Sequence, residues 1–194
     1  DDDEVIAGQG TVGLEILEQV AESLLENSPL EEGIVGSSPF QTRATIGSVL
    51  IPVGGGGLPG GVSLAMKHSQ PGIKTFGVQS EASPAMHAAL AQGRVVETPI
   101  DETIADGLAG RFVTEKTLRL AQQYYDGILL VSEHNIRRAM RELFYRQGWR
   151  VEGSAAVGVA ALLEGQIKAV GQACVVVISG GNIAEDVFAE AIKT

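Results

Sequence analysis

Two glycine clusters hold the residues best placed to do chemistry: GGGG at 54–57, inside IPVGGGGLPGG at 51–61, and SGGN at 179–182. Glycine loses more conformational freedom on folding than any other residue, so four in succession are costly unless something needs the space a side chain would fill. A β-branched run precedes the first cluster and a helical pattern follows it. In a strand, turn and helix of this kind the backbone N–H groups point into the turn, and the helix N-terminus adds partial positive charge, which suits an anion and phosphate above all. The plain alternative is a tight turn that binds nothing, for which one or two glycines would suffice. A nucleotide P-loop needs GK followed by Ser or Thr, and that sequence is missing. Gly55, Gly57 and Gly60 do satisfy GxGxxG, with Glu81 about twenty residues further on, so a dinucleotide remains open. Against it, the expected second strand IKTFGV runs into Gln79 and Ser80 where an acidic residue should close it.

The elements that must position these clusters are legible as runs. VLIPV at 49–53, IKTFGV at 73–78, ILLVS at 128–132 and CVVVIS at 174–179 have the composition of buried strands. Helical spacing appears in Val12, Ile16 and Val20 with Leu17 beside them, and in Val62, Ala65 and Met66 after the glycines. It recurs in Leu118, Ala121 and Tyr125 behind the N-cap candidate Thr114, and in Ile136, Met140, Leu143 and Phe144 behind Ser132. Strands alternating with helices predict an α/β fold, a mainly parallel sheet flanked by helices, with ligands at the carboxyl ends of the strands. The ends carrying GGGG and SGGN should share one edge of that sheet. We expect a single α/β domain over 1–194, with residues 20–47 as an atypical connecting segment of turn composition.

The totals narrow the class. The chain has 194 residues, 44% of them hydrophobic, enough for a real core. Twenty-four acidic residues against 14 basic ones give a formal charge of −10 without any basic run, which argues against nucleic acid and anionic membrane. No apolar stretch has membrane-spanning length, and DDDEVIAGQG lacks the basic start of a signal peptide, so a cytoplasmic protein is expected. That amino terminus passes straight into helical periodicity, as the middle of a domain would. Cys174, the single cysteine, reads as a small buried hydrophobe. His68, His87 and His134 lack ligand spacing and read as surface residues.

Five motifs in order make the glycine loop specific. AGQGT at 7–11, PVGGGGL at 52–58, ETIADG at 102–107, VEGSAAVGVAALL at 151–163 and VVVISGGN at 175–182 resemble, in sequence and spacing, the pyridoxal-phosphate enzymes of the tryptophan-synthase-β type. More narrowly, they resemble the threonine and serine dehydratases and serine racemase. The resemblance implies the carboxyl-terminal half of a fold type II enzyme. Its cofactor phosphate would be wrapped by Gly54, Gly55, Gly56, Gly57 and Leu58, and its pyridine nitrogen would be bonded by Ser179. A serine hydroxyl does not hold that nitrogen protonated, which makes the ring a restrained electron sink compatible with β-elimination or racemisation. Gly107 would pass close to the ring, and Glu152 would lie near it or serve instead as a helix-start carboxylate facing the dipole. The implied reaction is that of an ammonia-lyase: loss of the α-proton and then the β-hydroxyl of a hydroxy-amino acid such as threonine or serine, giving a 2-oxo acid and ammonia.

The departures are as informative. The family's Schiff-base lysine sits in a motif like SFKxRGA, and its substrate carboxylate is held by an SxGNH-type loop; both precede the glycine loop, and neither is found here. Lys67, Lys74, Lys116, Lys168 and Lys193 lie in other contexts, so no residue of this chain is nominated as catalytic. SPFQTRA at 38–44, with Gln41 at the lysine position, is read as a chance echo. Some relatives hold a divalent cation just after the second strand. The aligned positions here are Gln79, Ser83 and Ala85, and with Glu81 alone beside them no metal is expected. The sequence stops soon after SGGN, and on that reading no appended regulatory domain is expected. The expectation is a piece of such an enzyme that forms a homo-oligomer or associates with a missing amino-terminal portion. A non-catalytic phosphate or pyridoxal-phosphate binder and an NAD-binding module are the alternatives.

Overall fold

In the computed structural model, which describes residues 2–26, 46–167 and 172–193, each apolar run becomes a strand of one sheet. The strands are β1 (Ile46–Pro52), β2 (Lys74–Ser80), β3 (Gly127–Val131) and β4 (Ala173–Val176), in the order β3-β2-β1-β4. Every pairing is parallel, as the alternation of strands and helices predicted. β1 lies inside the sheet and is buried almost throughout, while all of β4 is only half-buried because it forms an edge. That position corrects the reading of Cys174, which is a partly exposed free thiol.

Period-two alternation sorts the side chains between two layers. Val49 and Ile51 of β1, with Val175 and Val177, face α1 (Asp3–Glu26) and α2 (Gly57–Ser69). Leu50, Val78, Val131 and Val176 face the other way, toward α5 (Glu133–Gln147) and α6 (Gly153–Leu163). A third cluster joins Val53 to α3 (Ala85–Gln92) and α4 (Glu115–Tyr124). The last described element is α7 (Glu185–Ala191), held by buried Phe188 and Ala191. Thr114 and Ser132 cap α4 and α5 as expected, Thr114 within a reciprocal box with Thr117.

Val12, Ile16, Leu17 and Val20 do form the inner face of α1. The helix continues through Glu26, into the stretch expected to be a connection, and residues 27–45 lie outside the described residues, as do Gln41 and Lys168. Where α1 crosses α2 the backbones nearly touch: a Cβ on Gly61 would sit 2.2 Å from the Ile6 carbonyl oxygen.

At the amino end of the sheet Asp126 ties β2 to α2. It accepts hydrogen bonds from Lys67 Nζ (2.6 Å), Lys74 Nζ (2.9 Å) and the Thr75 N–H (2.8 Å). Burial alone would raise its pKa, but these donors outweigh burial and hold the carboxyl below the usual range. Glu164 behaves likewise: burial raises it, and the Ser132 N–H, Asn135, Gln166 and the Ser132 hydroxyl lower it further. A depressed carboxylate stabilises the fold above its unfolded pKa, about 3.9 for Asp and 4.3 for Glu, and that contribution is lost as pH falls through the folded value. Stability should therefore fall as pH drops below about 4. Asp126→Asn should flatten that fall and, for a network at the solvent boundary, cost about 1 kcal/mol at neutral pH. Urea midpoints measured across pH check both.

Candidate functional site

β1 and β4 are parallel neighbours, so their carboxyl ends open side by side, with Gly54–Gly57 after one and Ser179–Gly181 after the other. The loop after β1 turns at Gly56, whose φ of 95° is the left-handed conformation that favours glycine, and α2 starts at the next residue. Behind it stand α4 and α3: a Cβ on Gly56 would lie 2.8 Å from Thr117 Cβ and 2.9 Å from Met86 Cε. Tyr125 supports the loop from below, its Oη donating to the Gly56 carbonyl at 3.4 Å. Burial raises the pKa of that phenol far above its ordinary value, so it stays a neutral donor.

The turn presents unspent donors. Among the described residues, the N–H groups of Gly54, Gly55, Gly56, Gly57 and Leu58 donate to no protein acceptor; the first bond of the new helix runs from the Gly60 N–H to the Gly56 carbonyl at 3.0 Å. A Cβ on Gly55 or Gly57 would meet nothing within 4 Å. A cradle of free N–H groups at a helix N-terminus, with open space beside Gly55 and Gly57, fits a phosphate. Leu58 contributes only its N–H, since its side chain packs with the α1–α2 core.

Of the other residues singled out in the sequence, Gly107 packs against this loop and Glu152 links Gly107 to the β4 loop that bears Ser179. Gly107 lies in a single 3₁₀ turn, Asp106–Leu108, laid over the loop so that a Cβ on Gly54 would be 3.3 Å from the Gly107 carbonyl oxygen. Glu152 stands between Gly107 and the β4 loop. A Cβ on Gly107 would be 3.9 Å from Glu152 Oε1, and one on Gly180 only 2.7 Å from the same oxygen. Glu152 does occupy the N-cap position of α6, yet its side chain makes no capping bond. Its carboxylate accepts instead from the Asn182 N–H at 3.1 Å, and its own N–H donates to the Gly180 carbonyl at 3.3 Å. Ser179 lines a hollow of about 510 Å³ with Gly180, Gly181 and Trp149, the only tryptophan of the chain.

Sequence reasoning passed over two of these neighbours. Trp149 stands just ahead of VEGSAA and is 52% exposed. Ser154, inside the same motif, is buried beside Gly107 with an Oγ that has no hydrogen-bond partner. Its position two residues after Glu152 was the available signal.

The four lysines among the described residues are engaged elsewhere. Lys67 and Lys74 bind Asp126, Lys116 binds Asp3 and Lys193 binds Glu190. None of them lines the hollow at Ser179 or the one beside Glu152. At the positions aligned with a cation site in some relatives, the side-chain oxygens are already in use. Gln79 donates to the Val53 carbonyl and accepts from the His87 N–H, and Ser83 exchanges hydrogen bonds with the Gly110 backbone. His68, His87 and His134 are all exposed. β2 runs on to Ser80, so Glu81 directly follows the strand, closer to the dinucleotide pattern than the sequence suggested; its side chain is exposed.

Comparison with known proteins decides between these cofactors. An L-threonine ammonia-lyase of Thermotoga maritima is 38% identical over 182 residues, which is 94% of this chain and 39% of that protein. The crystal structure of a T.th. threonine deaminase superposes with a TM-score of 0.81 at 34% identity, covering 95% of this chain and 59% of that one. Maize serine racemase gives a TM-score of 0.80 at 29% identity, covering 100% and 54%. The chain spans about half the length of the curated relatives it matches, from 39% to 49% among those named L-threonine ammonia-lyase or dehydratase. The fold is thus that of fold type II enzymes, in the part that carries the glycine cradle. The model of one family matches residues 1–180, from the first helix to the glycines after β4, and by that match the chain belongs to the pyridoxal-phosphate dependent enzymes.

Proposed function

We propose that this chain forms the phosphate- and pyridine-binding wall of an ammonia-lyase that acts on a hydroxy-amino acid such as threonine or serine. The observation that carries the reading is the run of N–H groups without a protein acceptor from Gly54 to Leu58, with open space beside Gly55 and Gly57 and with Gly107 packed against Gly54. When bound, pyridoxal phosphate supplies the carbanion stabilisation that β-elimination requires. The chain's own part is binding and orientation. Gly54–Leu58 hold the phosphate through backbone donors and the start of α2. The Ser179 hydroxyl would hold the ring nitrogen without protonating it. Glu152, fixed by Asn182, keeps the β4 loop and the Gly107 turn at one spacing.

The amine that anchors the cofactor, and the group that moves the α-proton, come from outside the residues described. The complete site would then need association with a segment bearing that lysine. The half-exposed apolar edge of β4 supports such an association.

Trp149 makes the reading measurable. Its indole shares the hollow of Ser179, so pyridoxal phosphate should quench its fluorescence, inorganic phosphate should compete, and NAD should do neither. Titration of the 194-residue chain tests this, and quenching by NAD alone would sink it. Ammonia release from L-threonine or L-serine, assayed on the protein as isolated from its source, separates an enzyme from the second reading. That second reading is a phosphate binder without chemistry, which the ion-paired lysines favour.

A further inference from the structure

The geometry points to Glu133 as a positioning residue that sets the height of the Gly107 turn above the phosphate cradle, an inference that rests on the pyridoxal-phosphate reading just given. Glu133 is the first residue of α5, where an acidic side chain would ordinarily serve the helix end. That end is already capped by the Ser132 hydroxyl, which accepts from the Asn135 N–H. The Glu133 carboxylate reaches instead across to a different element. Its Oε1 accepts from Ser80 Oγ at 2.9 Å and from the Thr103 hydroxyl, and its Oε2 accepts from the Ile104 N–H at 2.9 Å. Thr103 Oγ1 in turn accepts from the Ala105 N–H at 3.0 Å, and Ser80 Oγ accepts from the Ala82 N–H at 3.1 Å.

One carboxylate thus fastens the backbone at 103–105 to the carboxyl end of β2. Among the described residues, apart from the Ala109 N–H bond to the Asp106 carbonyl that closes the turn, each hydrogen bond between 103–108 and the rest of the protein goes to Glu133 or Ser80. The segment so held leads directly into Asp106–Leu108, whose Gly107 rests against Gly54 and Glu152. Glu133 touches none of the proposed cofactor contacts. It fixes the slot between the turn and the cradle, and with it the room for a ring attached to the phosphate.

Glu133→Ala removes all three bonds. Glu133→Gln can keep them, turning its oxygen to the Ile104 N–H and its amide to the two hydroxyls, which then serve as acceptors. Two measurements on the full chain test the inference: hydrogen exchange at the Ile104 and Ala105 amides without ligand, and binding of inorganic phosphate and pyridoxal phosphate followed by Trp149 fluorescence. In Glu133→Ala, exchange should accelerate at 104–105, phosphate affinity should hold, and pyridoxal-phosphate affinity should fall about tenfold. Glu133→Gln should restore both toward wild type. Unchanged exchange in Glu133→Ala, or faster exchange with undiminished pyridoxal-phosphate affinity, overturns the inference and leaves the functional reading standing. Equal loss of both affinities would mark a general structural defect and also overturn it. A wild-type chain that binds phosphate but no pyridoxal phosphate removes the functional reading and the inference together.

Discussion

Gly55→Val is expected to abolish phosphate and pyridoxal-phosphate binding while leaving the fold as stable as before. Both halves follow from where its Cβ would go. Gly55 is exposed at the crest of the loop, it does not need the left-handed conformation, and no atom lies within 4 Å of an added Cβ. Stability should stay within about 0.5 kcal/mol of wild type, the usual range for a surface substitution that breaks no contact. The open space is also the space a phosphate would take. An isopropyl group there separates the anion from N–H groups that must approach to about 2.9 Å, so affinity should fall by about 100-fold or more. Thermal melts with and without phosphate, beside fluorescence titration, give the two readings. A variant that still binds would place the anion elsewhere.

The second large effect concerns the fold. Gly61→Val should cost about 3 kcal/mol or more, because a Cβ at that position would stand 2.2 Å from the Ile6 carbonyl oxygen and 2.7 Å from the Gly10 nitrogen. Those atoms are backbone on the facing helix and cannot swing aside as a side chain would. α1 must then leave α2, taking Val12, Ile16 and Leu17 off the core they cover. Gly8→Ala is the control, since its Cβ meets nothing within 4 Å; on an exposed helical face it should stabilise by about 0.5–1 kcal/mol. Urea denaturation of the two variants reads both signs, and equal midpoints would refute the close-packing argument.

Much of this architecture was legible because it is local. The apolar runs at 49–53, 73–78 and 128–132 are short, flanked by turn residues and rich in Val, Ile and Leu, and each fell within a few residues of a real strand. Thr114 and Ser132 advertise their caps by type and place. The site's outline was legible for the same reason, since a glycine cluster needs no partner to announce itself. What escaped depends on the third dimension. α3 hides behind Pro84 in a segment read only for its oxygen ligands, and α7 buries just Phe188 and Ala191, too few to show a period. Cys174 was read as buried because CVVVIS looks like an inner strand, and strand order, which made it an edge, is not written in the run itself. The Glu133 clamp joins residues from β2, a loop and α5, so no spacing rule could point to it.

The pairing of β1 with β4 has a consequence in time. Leu50 and Val176 face each other across the sheet although most of the described chain runs between them. Contacts so distant in sequence must meet the entropy of closing the intervening loop before they return any stabilisation, and they form late. The two glycine clusters ride on these two strands. During synthesis, then, the first cluster emerges long before the second can dock beside it, and a nascent chain carries one cluster without the other until residues beyond 173 have left the ribosome. The sheet edge that carries both clusters thus closes later than the packing of α1, α2 and β2, and a ligand that needs both clusters would report that β4 has docked.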